Sequence, residues 1–314
     1  MKKSTITTAA LIVCLAALAV CAWVMFGGSV SGGLTYANAD QYTAGNATVT
    51  GTVENLDVNW KSGSIKIEYH SGNEIRVTET GNRTISGDDQ LRWWLDGTTL
   101  RIQYAKSGRF HIIDTLNKTL TISLPEGTVL KTAKLHTTSG DMDIPQLTAD
   151  ETELTVTSGN VRATADTRKM TVRATSGDLN ISLPGNAEAV TFEVTSGRIT
   201  ADIGYAEKLS IHGTSSDINF YGKAGDADIK TTSGAVSVRF LTFRTLNIDV
   251  TSGNVTAALP ENPGFTLDAK MTSGKLNYEG IAFTRGGDVY SCGDGSGRCS
   301  IHTTSGDIRI MKAD

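Results

Sequence analysis

The chain has 314 residues, of which 39% are hydrophobic, with 33 glycines, only 5 prolines and a net charge of −4. That apolar content suffices for a packed core and excludes a disordered chain. The near-neutral balance, with no run of five basic residues, excludes the electrostatic footprint of a nucleic-acid binder.

In chain order, the first element is an uncharged run of 21 residues from Ile6 to Phe26, long enough to cross a ~30 Å hydrocarbon core as a helix. Lys2 and Lys3 precede it and no Lys or Arg follows until Lys61. Positive-inside bias therefore places the N-terminus in the cytoplasm and the remainder outside. A cleaved signal peptide is the competing reading, with Ala37 and Ala39 in an A-x-A arrangement. The run exceeds the usual ~7–15 residue signal core, which favours a retained anchor over residues 1–26. "LAVC", ending at Cys21, resembles a lipoprotein box, but Val20 stands where a small residue is needed. Residues 27–46 are small and polar and read as a flexible linker.

From residue 47 to 312 the chain alternates Thr, Val and Ile in short runs between glycines, which predicts many short strands. Over 135–312 the runs form a repeat marked by Thr-Ser-Gly. Its glycines are Gly140, Gly159, Gly177, Gly197, Gly234, Gly253, Gly274 and Gly306, with Ser216 in the glycine position of one unit. The steps are 19, 18, 20, 19, 18, 19, 21 and 32 residues, a period of stacked coils with one late insertion. Two residues after each mark stands an apolar residue (Met142, Val161, Leu179, Ile199 and so on), and another apolar residue usually follows at four. Five before it stand Leu135, Leu154, Val172, Phe192, Ile211, Ile229, Ile248, Ala269 and Ile301. Strands with one buried face thus meet at each motif, but out of phase, so the chain must bend there. Glycine supplies the positive φ of such a corner. Stacked in register, the coils predict parallel strand columns, with the serine before each glycine, from Ser139 to Ser305, turned inward as a hydroxyl ladder. Residues 47–134 keep a looser rhythm, with one corner at Ser62-Gly63, and read as degenerate coils or a capping sheet; the interval to Gly140 would hold four coils.

"LPEGTVLKTAKLHTTSGDMDI", the T-S-G-x-aliphatic-x-aliphatic series and the closing "GDGSGRCSIHTTSGDIRI" resemble the bacterial family known as putative adhesins and as domain of unknown function 4097, over about residues 45–312. The resemblance implies an all-β, right-handed parallel β-solenoid, often behind a membrane anchor in Gram-positive envelopes, and brings no catalytic residues with it. The cysteine-bearing loop near the end departs from the family's pattern.

Chemistry is sparse. His136, His212 and His302 share one outward position but different coils, and with His70 and His111 make no tight metal site. Their row, with Arg173, Glu193, Lys230, Asp249 and Lys270, predicts a solvated salt-bridge face. Asp141 and Asp143 are paired carboxylates on one strand, but a glycan-cleaving pair needs a cleft. No cofactor, metal or catalytic residue is expected. Cys292 and Cys299 bracket a Gly/Ser-rich tip between two strand-like runs, which predicts a hairpin closed by a disulfide in an exported protein. The clipped loop, with Arg285, Asp288, Tyr290, Asp294 and Arg298, is the best local candidate for a contact site.

The sequence therefore reads as a single-pass membrane protein whose extracytoplasmic solenoid is structural or adhesive. Its expected partners are the membrane, cell-wall glycan or another envelope protein, and not nucleic acid. An envelope-stress or signalling component is the alternative, and a carbohydrate-active β-helix enzyme the third reading.

Overall fold

The computed structural model describes residues 34–85, 87–108, 116–286 and 289–313. The anchor expected over 6–26, His111 and Asp288 lie outside them. Two compact units are distinguished. In the smaller, Gly108 N donates to Leu34 O at 2.8 Å, and Tyr36 N and Ser107 N each donate to the other's side-chain oxygen at 3.2 and 3.1 Å. The larger, residues 38–106 with 115–314, carries the repeat. Apart from short 3-10 turns, all regular structure among the described residues is β, and the architecture is solenoid-like.

Two parallel columns run through it, meeting at the corners. In the first, Asn55–Ser62, Leu130–Ser139, Thr148–Ser158 and Asp166–Ser176 stack with serine opposite serine, Ser62 on Ser139, Ser158 and Ser176. Backbone then stays extended from Leu179–Ser233, passing the corners at Gly197 and Ser216 without a break. Thr245–Ser252 continues the column. The second column stacks Ile65–His70, Met142–Ile144, Val161–Thr164, Leu179–Ser233, Val236–Thr242 and Val255–Leu259. Inside, Leu135, Leu154, Val172, Phe192, Ile211, Ile229, Ile248 and Ile301 form a continuous buried row. Each such side chain contributes about 1.5–3 kcal/mol by burial.

The corner follows from backbone chemistry. Gly140, Gly159, Gly177, Gly197, Gly234, Gly253, Gly274 and Gly306 all hold φ between 130° and 155°, where a β-carbon is strained. The serines, however, do not point inward: Ser139, Ser158, Ser176, Ser196, Ser233, Ser252 and Ser305 are exposed. The last inward residue before the bend is three before the glycine, such as Val156, and the next is two after it, such as Val161. Thr, Ser, Gly and the following residue all wrap the outside of the corner. Ser216 differs again. It is 1% exposed, points inward and donates through Oγ to Val194 O at 3.4 Å, and Asn38 is the only non-glycine at positive φ among the described residues.

The coil order departs from chain order at both ends. Asn55–Ser62 lies directly on Leu130–Ser139, so 64–129 does not add four coils between them. Instead Thr99–Gln103 and Lys118–Pro125 stack on the far side of the Gly63 coil and are roofed by antiparallel Arg92–Asp96 and Ile75–Gly81. This is a capping sheet. Thr43–Ala44 pairs with Arg92–Asp96, Ala47–Val49 pairs with Ile75–Gly81, and Tyr42 packs 5.6 Å from Trp94. The fold therefore begins inside the segment read as a linker to residue 46. At the other end, Gly297–Ser305 pairs with Thr245–Ser252 on one side and Phe265–Ser273 on the other. The last coil of the chain is inserted before the penultimate one.

That insertion removes the expected disulfide. Phe265–Ser273 separates the two cysteines: Cys292 stands opposite Phe265 on one edge and Cys299 opposite Leu267 on the other. Two strand spacings are about 9.6 Å, beyond the ~7 Å Cα reach of a disulfide. Both thiols are free and buried, and burial raises the pKa of each. The hairpin is Thr284–Gly286 with Val289–Cys292.

A groove across the C-terminal coils

The outer surface of the first column carries two rows of side chains, four and two residues before each glycine. The inserted coil sets the order of the first as His212, Lys230, Asp249, His302, Lys270. The second is threonine in every regular unit, including Thr232, Thr251, Thr304 and Thr272. Between them a groove of about 520 Å³ is lined by Lys230, Asp249, His302 and Lys270 on one bank and these threonines on the other. Gly213 also lines it, three before its corner, where other units carry Thr, Val, Ala or Met.

Its charges are held in place. Asp228 lies 2.8 Å from Lys230 and 3.1 Å from His212. Asp268 lies 2.7 Å from Lys270 and 3.7 Å from His302, and His302 reaches Asp249 at 3.4 Å. The Lys270 hydrogen bond, outweighing desolvation, holds the Asp268 carboxyl below its ordinary range. The groove thus offers carboxylates, ammonium groups, imidazole and hydroxyls in one open strip, a set that can donate and accept hydrogen bonds along a polyhydroxylated chain. The expected salt-bridge face is present elsewhere too: Arg173 bridges Glu153 and Glu193 at 2.6 and 2.8 Å.

The sequence-derived contact loop does not form one site. Asp294 is a structural clasp, accepting from Gly264 N at 2.9 Å and Ser296 N at 3.0 Å, and these bonds, Ser296 foremost, lower its pKa. Arg298 is exposed opposite Thr245, with its N donating to Arg244 O. Arg285 and Tyr290 do come together, the guanidinium 5.5 Å from the ring centre, and Tyr290 joins Phe283 and Tyr278 at 5.8 and 6.3 Å. Asp141, read as half of a carboxylate pair, lies at the corner and accepts from Asn160 N at 2.7 Å, and Asp143 is exposed on the strand Met142–Ile144 that follows. Sequence reasoning missed the groove. Its available signal was the unvarying threonine two before the last position of each repeat motif.

No curated protein matches the chain. Among solved structures, it is similar to a putative cell adhesion protein of Clostridium sporogenes, 14% identical over 86% of this chain and 99% of that one, with a TM-score of 0.21. It is also similar to a putative adhesin of Bacteroides fragilis, 11% identical over 86% and 96% with a TM-score of 0.38. A putative adhesin of Parabacteroides distasonis is 13% identical over 85% and 96%, with a TM-score of 0.33. Residues 53–311 match the family described as Toastrack DUF4097, and the chain belongs to that family.

Proposed function

We propose that this chain is a non-enzymatic, adhesin-like scaffold of the cell envelope that binds a glycan-containing wall polymer along the C-terminal groove. In this reading residues 6–26 anchor it in the membrane and hold a right-handed solenoid outside. The groove is the observation that carries the proposal. Four successive coils each contribute a charged or imidazole side chain and a threonine to it, and coils rise by about 4.8 Å each, a spacing of the order of one sugar in an extended polymer. The strip is open and shallow, which suits grip on a chain of indefinite length. Mixed charge favours hydroxyl-rich partners over polyanions, since each lysine already has a carboxylate beside it. Sedimentation of the extracytoplasmic part with isolated wall, before and after filling the groove, tests it.

A further inference from the structure

We propose that the terminal coil, Phe265–Ser273 with Leu276–Glu279, docks a second copy of this chain edge to edge. The coils before it are covered on both sides; among the described residues this one is open on its outer side beyond Leu267. Leu276–Glu279 pairs only with Ile308–Lys312, and beyond Leu267 the Phe265–Ser273 strand pairs only with Gly297–Ser305 among the described residues.

The polarity of the ladder says what the edge lacks. At most corners the glycine N–H donates to the serine carbonyl of the next coil, and the N–H two residues on donates to the residue after that coil's glycine. Gly253 reaches Ser305 O at 2.9 Å, Gly306 reaches Ser273 O at 3.0 Å and Ile308 reaches Lys275 O at 2.9 Å. At the terminal coil the corresponding donors belong to Gly274 and Leu276, and no coil follows among the described residues. The side chains repeat the pattern. Ala269, Met271 and Leu276 are half-buried and Tyr278 is 54% exposed, whereas their neighbours one coil inward, Ile301, Thr303, Ile308 and Ile310, are at most 4% exposed. An edge of this kind is a template for an added strand.

The opposite end of the solenoid is roofed by antiparallel strands, so copies cannot stack head to tail. The remaining self-association is a closed two-fold pair in which the edge meets itself antiparallel. A two-fold axis beside Met271 sets Met271 against its own copy and Lys270 against Thr272 of the other chain. The arrangement puts no like charges directly opposite. Lys270 also carries its own carboxylate, Asp268, at 2.7 Å. Antiparallel pairing supplies a carbonyl acceptor to the Gly274 donor and covers Met271.

The test is the mass of the full-length chain in mild detergent, measured by light scattering after subtraction of the micelle. The wild-type chain is expected to be a dimer, and Met271→Glu and Thr272→Lys, the latter setting a lysine opposite Lys270 of the other copy, monomers that still melt cooperatively. Ser158→Glu, on an interior corner, should stay dimeric. Under mild oxidation Met271→Cys should give a disulfide-linked dimer on a non-reducing gel, and Ser158→Cys none. A monomeric wild-type chain, or a dimer that survives both substitutions, overturns the proposal.

Discussion

A β-carbon placed on Gly197 would stand 2.0 Å from the carbonyl oxygen of Gly177, one coil below. The backbone there also holds φ at +130°, so the position excludes a side chain twice over. Gly127 separates the two effects: it has φ +77° but nothing within 4 Å of the added carbon. Gly127→Ala should therefore cost only the conformational strain, on the order of 1 kcal/mol. Gly197→Ala should cost several times that, and Gly197→Val more. Ser216→Gly should be mild, because that corner bends without positive φ. Chemical denaturation of the four single variants checks the order, and equal costs for Gly127→Ala and Gly197→Ala would refute the close approach.

The residue after each corner glycine has its own ladder. Asp141 Oδ1 accepts from Asn160 N, Asn160 Oδ1 from Asp178 N and Asp178 Oδ1 from Arg198 N, at 2.7, 3.0 and 3.0 Å. Asn254 and Asp307 extend the pattern through the inserted coil, Asp307 accepting from Lys275 N at 2.8 Å. Asn160→Ala should destabilise by about 1 kcal/mol, the usual net value of such a bond. Ala235→Asn, which would add an acceptor where the ladder is broken, should be neutral or stabilising. The melting temperatures of the two variants decide the matter.

In the capping sheet Lys118 is fully buried with its Nζ 2.7 Å from Glu79 Oε2. It donates also to the carbonyls of Asp89, at 2.7 Å, and Tyr104. It sits 4.9 and 4.1 Å from the ring centres of Trp60 and Tyr104. Removing one partner of a buried pair strands the other charge, which typically costs roughly 3–5 kcal/mol. Lys118→Met and Glu79→Leu should each approach that loss, whereas the double variant should recover most of it. A double variant as unstable as the sum of the singles would mean the two residues act independently.

Burial holds the His136 imidazole below its ordinary pKa, against the pull of the Glu153 carboxylate. The unfolded chain then binds a proton near pH 6.5 that the folded chain refuses. Stability contributed by His136 is accordingly full above pH 6.5 and declines as pH falls through the window beneath it. His136→Gln should flatten the fall in melting temperature between neutral pH and pH 5. An unchanged slope would place the titration elsewhere.

The repeat was legible because period and parity are local: Leu154, Val156 and Val161 announce two strands and a bend within one unit. The direction of Ser158 was not, since alternation through a corner holds only until the backbone turns, and the turn starts one residue earlier than the glycine suggests. Coil order was hidden for a different reason. The units ending at Gly253, Gly274 and Gly306 carry the same Thr-Ser-Gly and the same inward positions, so any of them fits against any other. The choice is made by the links between coils, notably the antiparallel pairing of Cys292 with Phe265. Because His302 reaches the groove only through that insertion, the site could not be assembled from the sequence.

The most direct measurement of the central proposal is co-sedimentation of residues 40–314 with purified cell wall, comparing the native chain with Thr251→Trp and Thr304→Trp, which fill the groove. Ser158→Trp on an interior corner serves as control. Saturable binding is expected of the native chain and the control, and at least a tenfold loss, about 1.4 kcal/mol, of each groove variant. Wall binding that is indifferent to both groove substitutions, or no wall binding by the native chain, would contradict it.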